Sequence, residues 1–529
     1  SIVAGNQYRQ TGSAVLAQGD VNIVGKSVEI NEARELERDK FEMRAKQSGL
    51  SVSISNPVVN VVQGGETVAR IAGATGKTSD ARMQALGAAA AGMAAYETYG
   101  KASQLIADPS SATSVGISLS LGKSSSRSTS EYQVNSAVGS LVKADGNVSI
   151  TATQGDVHVR GSSVEAGKDV RLAADKGNIV LEAAENRFAE QNSQSSSSAS
   201  VGVAFTLGSK NGFSVNVGLS QGKGSGSGES LSHTNTHIKA GGTASVQSGG
   251  DTTLKGATIV ADTVKADIGG NLAIESLQDK STYNEKSSSA GLNVSLCVPP
   301  LCYGPSSVGG SAGRTRIDSD YQSVVEQSGI RAGDGGFDVK VKGDTTLKGG
   351  AITSTQVAMD DGKNRFETGG KLTTSDIENH AAYDASGWSA GGSVGFQAGD
   401  QSTAKTEEQK KAALDTGKGL TGGSAGVGSD SGNASSTTKA GISGVAGDSG
   451  ARTGDKETGL KPIFDKDKVR ENVNAQIEIT REFGKQGSAA WGNYATRQYA
   501  EALKNQDAEA AECWGPSGAC RAVGHALIG

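Results

Sequence analysis

The sequence has few of the residues that build a single large hydrophobic core. Of its 529 residues, 35% are hydrophobic and 4% are aromatic, whereas 75 are Gly. A chain of this composition supplies many short strands and turns but too little apolar surface for one large globular core. Three Trp residues also leave few aromatic platforms on which sugars could stack.

Long apolar runs are missing as well. The longest apolar window covers residues 88–95, much shorter than the roughly 18 residues that a membrane helix needs. The sequence contains no signal peptide, begins at Ser1 without Met and stops at Gly529. We therefore interpret it as a piece of a longer protein whose targeting segments lie elsewhere.

The charge pattern argues against nucleic acid as a partner. The formal net charge is −5, and no cluster of Lys and Arg is interleaved with aromatic residues. Such a chain has no obvious means of neutralising a phosphate backbone. We expect no nucleic-acid partner.

The four cysteines form two close pairs, Cys297 with Cys302 and Cys513 with Cys520. This spacing suits two small disulfide loops in an oxidising compartment. A zinc site is the competing interpretation, but it would need closer spacing or nearby His. Free thiols are a further alternative.

A ten-residue block recurs four times along the chain. Each copy starts with Gly-Asp, has Val, Ile or Leu at the fifth position, Gly at the seventh, and Val or Ile at the tenth. The last three copies start 95 and 93 residues apart. The copies are GDVNIVGKSV (19–28), GDVHVRGSSV (155–164), GDTTLKGATI (250–259) and GDTTLKGGAI (343–352). A repeat of this kind indicates a repetitive architecture rather than an ordinary domain.

Short strands separated by regular turns surround these blocks. Pairs of apolar residues two positions apart, such as Val148 with Ile150, alternate with Gly-Asn and Gly-Asp turns about every ten residues. The pattern predicts an all-β fold, a right-handed parallel β-helix whose coils stack about 4.8 Å apart. An open sandwich is the alternative, but it would require hairpin pairing.

Between the repeats the chain makes Ser- and Gly-rich excursions, which we interpret as β-hairpins protruding from the rod. Their apolar residues alternate with small or polar residues over 115–121, 201–207, 213–219, 292–296 and 388–396. These residues either pack on the rod and on each other, or face an outer membrane. The candidate membrane-facing residues are Val201, Val203, Phe205, Leu207, Phe213, Val215, Val217 and Leu219.

Three segments depart from the repeat pattern. Residues 79–106 predict a short helical insert, because they are rich in Ala, Met, Leu and Tyr. Residues 401–460, which are Gly, Ser, Ala and Thr with charge, predict a disordered linker. Residues 461–529 predict a small helical module of two helices, divided near Gly484 and Gly487, with Ser488 as an N-cap. Residues 1–400 are then the β-helix with its hairpins.

No catalytic constellation is apparent. The five His residues have no nucleophile or carboxylate placed by sequence to suggest a triad. Residues 333–338 are a weak candidate for a calcium turn, but they occur once and lack an Asp ladder. We expect a non-enzymatic chain without cofactor or metal.

The Gly-Asp repeats, the Ser-rich excursions and the stretch from Phe464 to Gln486 resemble filamentous haemagglutinins and contact-dependent growth inhibition toxins of Gram-negative bacteria. The resemblance covers the second haemagglutinin-repeat region (1–400) and the entry to the pretoxin region (461–510). No family active-site residue can be carried over, and the Val-Glu-Asn-Asn boundary motif is absent.

The resemblance implies a secreted cell-surface protein. Its repeat region would help to deliver a C-terminal toxin into neighbouring cells, acting at the target-cell outer membrane or a surface receptor. Export would use a dedicated outer-membrane transporter through an N-terminal domain, and a toxin domain is expected after residue 529. The alternative is a passive adhesin rod that attaches to host cells or biofilm.

Overall fold

Short strands of two to 13 residues alternate along the chain with long strands of 18 to 24 residues. The computed structural model describes residues 1–107, 115–207, 212–414, 419–515 and 518–528. Up to residue 174 the strands are β1 (Ile2–Val3), β2 (Gln7–Thr11), β3 (Ala14–Ala17), β4 (Val21–Gly25), β5 (Ser27–Asn31), β6 (Ala33–Ser55), β7 (Val115–Val138), β8 (Leu141–Ala144), β9 (Val148–Ala152), β10 (Val157–Arg160), β11 (Ser163–Ala166) and β12 (Val170–Ala174).

The later strands continue the same alternation. They are β13 (Ile179–Glu182), β14 (Ala184–Leu207), β15 (Gly212–Thr234), β16 (Thr236–Ala240), β17 (Thr243–Ser248), β18 (Thr252–Lys255), β19 (Ala257–Ile268), β20 (Leu272–Glu275), β21 (Asp279–Cys297), β22 (Ser306–Ser323), β23 (Gly329–Val341), β24 (Thr345–Lys348), β25 (Ala351–Thr353), β26 (Arg365–Thr368), β27 (Leu372–Ser375), β28 (Ile377–Phe396), β29 (Gly419–Thr438), β30 (Gly441–Ile442) and β31 (Ala446–Gly447). The helices are α1 (Pro57–Lys77), α2 (Ala81–Ala107), α3 (Gln356–Asp360), α4 (Glu407–Leu414), α5 (Lys466–Lys504), α6 (Ala508–Trp514) and α7 (Ala519–Ile528), with a 3₁₀ turn at Gln401–Thr403.

The short strands form a parallel β-helix, which confirms the predicted fold class. One face is the parallel sheet β2-β5-β10-β13-β18-β20-β24-β27. The other two faces have the strand orders β1-β4-β9-β12-β17 and β3-β8-β11-β16. They are joined because β19 bends between them: its first half pairs with β16 and its second half with β17. Strand β23 pairs with β19 on both faces. An uninterrupted coil takes 22 residues, so that Val148 lies opposite Val170.

The interior of the rod is one continuous column of apolar side chains, in which the buried residues are aliphatic except for Phe337. Inward-facing residues alternate with outward-facing ones along each strand, and equivalent positions stack from coil to coil. Leu172, for example, lies between Ile150 and Val246, and all three are buried. Each coil therefore buries its apolar residues mainly against its two neighbours.

The Gly-Asp and Gly-Asn corners form ladders along the rod. The backbone N–H of Asn147 donates to Oδ1 of Asp20 (2.7 Å), and the N–H of Asp169 donates to Oδ1 of Asn147 (3.2 Å). A second ladder links Asp156, Asn178, Asp251, Asn271 and Asp344 in the same way. The preceding Gly is needed because a Cβ on Gly177, for example, would collide with the carbonyl oxygen of Gly155. The Asp residues thus act between coils as well as within the turn.

The long strands leave the rod as hairpins in every second coil. Each excursion starts after a strand of the β2-to-β27 face, as β6–β7, β14–β15, β21–β22 and β28–β29. Two coils advance the rod by about 9.6 Å, and a hairpin is two strands about 4.8 Å apart. Successive hairpins therefore meet edge to edge and pair, and the structure has one antiparallel sheet in the order β29-β28-β22-β21-β15-β14-β7-β6. We call it the lateral sheet.

Two predicted segments differ in extent from the structure. The predicted insert at 79–106 is one half of a helical hairpin, because α1 precedes α2. Asn56 caps α1 by accepting from the N–H of Val59. The run of Val and Gly residues over 57–77 has weak helix propensity and concealed this helix in the sequence.

The predicted disordered linker at 401–460 also differs from the structure. It contains α4, the eighth strand of the lateral sheet (β29) and the last pairing of the rod (β30 with β25). Strand β29 orders by pairing with β28, and β30 contributes the buried Ile442 to the interior of the rod. Residues 415–418 of this segment lie outside the described residues.

The C-terminal helices differ from the predicted pair in their boundaries, N-cap and number. Helix α5 runs unbroken for 39 residues through Gly484, Gly487 and Ser488, and its N-cap is Asp465. Helices α6 and α7 follow it. The glycines do not break the helix because its sides are held by packing, as described below.

Candidate functional site

The two faces of the lateral sheet differ in what covers them. Helix α5 packs on one face, where Tyr283, Ile317 and Ala385 are buried beneath it. Residues that lie directly opposite each other in an antiparallel sheet point to the same side of it. By this rule the three buried side chains point to one side of the sheet, and the apolar side chains near the hairpin tips point to the other. We call the uncovered side the open face.

An aliphatic row crosses the open face close to the hairpin tips. The strand registers bring one residue from each of seven consecutive strands into line, each directly opposite the next. These residues are Leu50, Leu121, Val201, Val217, Val294, Val308 and Val394. Seven strands about 4.8 Å apart give a row roughly 29 Å long.

Two shorter rows lie between this row and the tips. The first contains Val52, Leu119, Val203, Val215 and Leu296, and the second contains Ile54, Ile117, Phe205 and Phe213. Many of these side chains are well exposed, for example Val52 (61%) and Leu50 (63%). We call the three rows together the aliphatic patch.

The structure brings the predicted hairpin residues together on this patch. Val201, Val203 and Phe205 face Val217, Val215 and Phe213, and Leu219 lies one row nearer the rod, opposite Ala199. Leu207 ends β14, and its side chain lies outside the described part of the chain. The sequence showed the same alternation in the neighbouring excursions at 115–121, 292–296 and 388–396, but not the register that aligns them into one surface.

On the covered face, α5 is held by ion pairs that are partly buried. Arg470 Nε donates to Oε1 of Glu285 at 2.9 Å, and Lys466 Nζ lies 2.7 Å from Oε1 of Glu190. Burial raises the pKa of the Glu285 carboxyl, but hydrogen bonds from Arg470 and Tyr283 outweigh it and the pKa is lowered overall. Burial, followed by the hydrogen bond to Glu285, raises the pKa of Tyr283. Glu285 is therefore ionised and Tyr283 protonated at neutral pH.

Helix α5 also covers an edge of the lateral sheet. Strand β29 is the terminal strand, and its outward backbone groups at Val427 and Ser429 bond to side chains of the helix. The N–H of Val427 donates to Oγ1 of Thr480 (2.8 Å), and the N–H of Ser429 donates to Oε1 of Gln476 (3.0 Å). Such covering removes an edge that could pair with another chain.

The helical hairpin α1–α2 packs on the other side of α5. Arg70 forms an ion pair with Glu478, and Lys77 Nζ lies 2.8 Å from Oε1 of Glu471. Phe483 packs against the buried cluster around Ile71. Helix α5 is therefore enclosed between the sheet and this hairpin, whereas no helix in the described part of the chain covers the open face in this way.

Four of the histidines lie beside carboxylates of neighbouring strands or turns. His158 Nε2, for example, is 2.8 Å from Glu182, and His237 Nε2 is 3.0 Å from Glu326. The hydrogen bond to Glu326 raises the pKa of His237. These contacts are hydrogen bonds that link neighbouring strands and turns, and we assign them no catalytic role.

Cys297 and Cys302 are joined by a disulfide at the tip of β21–β22, and Cys513 and Cys520 by a second one between α6 and α7. The loop closed by Cys297 and Cys302 lies beside the neighbouring hairpin β14–β15, where the N–H of Phe213 donates to the carbonyl oxygen of Leu301 (3.1 Å). The first bridge therefore sits at the end of the aliphatic patch.

We expect no free thiol in unreduced protein from an oxidising compartment. A thiol count with a chromogenic reagent in denaturant, before and after reduction, should change from none to the four Cys of the chain. A count of four before reduction would contradict both bridges. Cys302→Ser is expected to cost less than about 3 kcal/mol, because the closed loop is short.

Within the described residues, no group of three or more His, Cys, Asp or Glu side chains is arranged to hold a metal ion. None of the described helices combines the length and apolar content needed to cross a bilayer.

Comparison with known proteins identifies a repeat and a set of relatives. The hemagglutinin repeat family matches residues 119–290. A protein named "Deoxyribonuclease CdiA" from Yersinia pseudotuberculosis is 33% identical over 525 residues, which is 96% of this chain and 47% of the relative. "Toxin CdiA" from Yersinia pestis is 33% identical over 96% of this chain and 15% of its own length. "Toxin CdiA" from Escherichia coli is 37% identical over 75% of this chain and 13% of its own length.

The chain thus spans less than half the length of these relatives. No solved structure matches it.

Proposed function

This chain is a haemagglutinin-repeat region homologous to that of the CdiA toxin proteins, and on that premise we propose that it is a non-catalytic segment that helps to deliver a toxin into neighbouring cells. In the proposal the whole protein is secreted to the bacterial surface through an outer-membrane transporter. It carries a toxin domain elsewhere in its length. This segment acts outside the producing cell, at the outer membrane of the target cell.

The observation that carries the proposal is the aliphatic patch. Monomeric proteins rarely expose contiguous apolar patches larger than a few hundred Å² unless the patch binds something. Here seven strands place aliphatic side chains in register on an open face, while the opposite face is covered by α5. The side chains pack against their neighbours in each row, but many of them still expose a third or more of their surface to solvent. Because exposed apolar surface lowers solubility, a binding role at a membrane explains the arrangement best.

A non-enzymatic role agrees with how the relatives match. One relative is named a deoxyribonuclease. The family match in this chain, at residues 119–290, is to the hemagglutinin repeat. The histidines described above form hydrogen bonds with carboxylates of neighbouring strands and turns. We propose that nuclease activity belongs to other parts of such proteins.

A passive adhesin rod is the second candidate, since the same β-helix would serve to hold cells together. The aliphatic patch favours the delivery role, because adhesion to a soluble or sugar receptor does not require a lipid-compatible face. A chain that attaches cells without associating with membranes would favour the adhesin.

The test replaces four patch residues with charge. Val203, Phe205, Val215 and Val217 lie in adjacent strands and are changed together to Asp. We expect binding of the full chain to outer-membrane vesicles to fall about 10-fold or more, because a charged side chain is costly to place in lipid. The fold should persist, since these side chains lie outside the core of the rod.

A control variant of equal charge separates position from net charge. It places four Asp residues on the rod, at the exposed positions Asn22, Gln154, Gln247 and Thr373. This control should bind vesicles as the parent does, and both variants should keep the β-type circular dichroism of the parent. Equal vesicle binding by the patch variant and the parent would exclude the proposed role.

A further inference from the structure

Basic side chains gather on the open face, between the aliphatic patch and the rod. The registers place them in four consecutive rows, which cross β6 at Glu42, Arg44, Lys46 and Ser48. We call them the basic band: Arg44, Lys46, Lys123, Arg127, Lys223, Lys286, Arg314 and Arg316. Glu42 is the one acidic residue that the registers place in these rows, whereas the whole chain has a net charge of −5.

Most of this positive charge is unpaired. Arg44 and Arg127 share Glu42, and Arg316 pairs with Asp318 in the next row. In the described part of the chain, no salt bridge involves the other five: Lys46, Lys123, Lys223, Lys286 and Arg314. All five are exposed. The next row toward the rod contains Lys40 and three carboxylates, those of Glu131, Asp318 and Asp384. Acidic side chains outnumber basic ones in that row, so the band has a defined limit.

The band and the aliphatic patch are parts of one surface. Lys123 lies two residues from Leu121 on the same face of β7, and Arg314 lies opposite Trp388, which is 45% exposed. Long basic side chains can lay their aliphatic stems over apolar surface while the charged end stays in water. Apolar rows beside a basic border, with an interfacial Trp, are features of proteins that lie on anionic bilayers.

We propose that the open face docks flat on a bilayer with anionic headgroups, with the basic band against lipid phosphates and the aliphatic patch in the acyl boundary. This deepens the proposed function, on which it rests, by naming the lipid chemistry that the segment recognises. The rows lie about 7 Å apart, so the aliphatic and basic parts can reach one flat surface together.

A second copy of the chain is a poorer occupant of the open face. Two open faces stacked on each other would bring one basic band against the other, or against an aliphatic patch. The first arrangement opposes like charges, and the second buries unpaired cations in apolar surroundings; both are costly. A surface of anionic headgroups instead complements the charge of the band.

The experiment measures binding of the full chain to vesicles with and without an anionic lipid. The probes are vesicles of phosphatidylcholine alone and of phosphatidylcholine mixed with phosphatidylglycerol. We expect the parent to bind the anionic vesicles about 10-fold more tightly or better at low salt, and the preference should shrink as salt is raised.

The test variant changes Lys46, Lys123, Lys223 and Arg314 to Gln. We expect it to lose about 10-fold or more of its affinity for anionic vesicles and little for neutral ones. A matched variant with the same net charge changes Lys168, Lys176, Lys265 and Lys342 to Gln, all exposed on the rod, and should bind as the parent does.

Three results would overturn the inference: equal binding of the parent to both vesicles, equal loss in the two Gln variants, or a parent that sediments as a face-to-face dimer and ignores vesicles. Binding to neutral vesicles that depends on Val203 and Phe205 but not on the basic band would leave the proposed function standing and reject the headgroup recognition. Circular dichroism that is unchanged in both Gln variants would show that a loss of vesicle binding is not caused by misfolding.

Discussion

Leu172→Ala is expected to lower the free energy of unfolding of the rod by about 2–5 kcal/mol. Leu172 is fully buried, with Ile150 directly on one side and Val246 on the other. Removing three carbon atoms from this position leaves a cavity in the interior column, because the side chains above and below it are already fully packed. Because each coil is stabilised mainly by its two neighbours, the loss weakens two interfaces at once.

The measurement is equilibrium unfolding in denaturant, followed by circular dichroism. Arg171→Ala is the matched control on the same strand, because its side chain points outward and is exposed. We expect that control to change the free energy of unfolding by about 0.5 kcal/mol or less. A similar effect of the two substitutions would mean that the interior column does not carry the stability of the rod.

The rod could be predicted from the sequence because its signals are local. The Gly-Asp blocks, the turns every ten residues and pairs such as Val148 with Ile150 each lie within one coil. The ladder between coils was not visible in the same way. It joins Asp20 to Asn147 across 127 residues, and only the stacking of the coils brings the two together.

The lateral sheet was harder to predict because its cause is geometric rather than local. Ser- and Gly-rich stretches such as 195–200 and 222–228 have little strand propensity and bury little apolar surface. They are strands because hairpins that leave every second coil arrive beside one another at the strand spacing. The apolar alternation over 201–207 was recognised, but its continuation into Leu50, Leu121 and Val308 depends on registers that sequence alone does not give.

The segment after residue 400 shows the same limit. Residues 419–438 were predicted to be part of a linker, because they contain few large apolar residues. Their small size is what lets α5 approach the sheet. Two sequence signals could have indicated this contact. Gly426 and Gly428 lie on one side of β29, and Lys466 and Arg470 are four residues apart on α5.

Gly428→Ala is expected to displace α5 from the lateral sheet. A Cβ at this position would collide with the carbonyl oxygen of Val473, and helix backbone cannot move aside as a flexible side chain can. Gly426 is in the same situation with the carbonyl oxygen of Ile477. Overpacking of this kind costs about 1–3 kcal/mol. The Thr480 and Gln476 side chains would then lose their bonds to the backbone of Val427 and Ser429.

Hydrogen exchange measures that loss directly. In the variant, the amides of Val427 and Ser429 should exchange about 5-fold to 100-fold faster, as should those of α5, whereas amides in the rod should keep their protection. Gly310→Ala is the control, since its Cβ would point to the open face with 3.9 Å to its nearest neighbour and should change nothing. Unchanged exchange at Val427 and Ser429 in the Gly428 variant would show that α5 does not close this edge. Faster exchange limited to α5 and β29 would establish the helix as the cover that keeps the edge of the sheet from pairing with another chain.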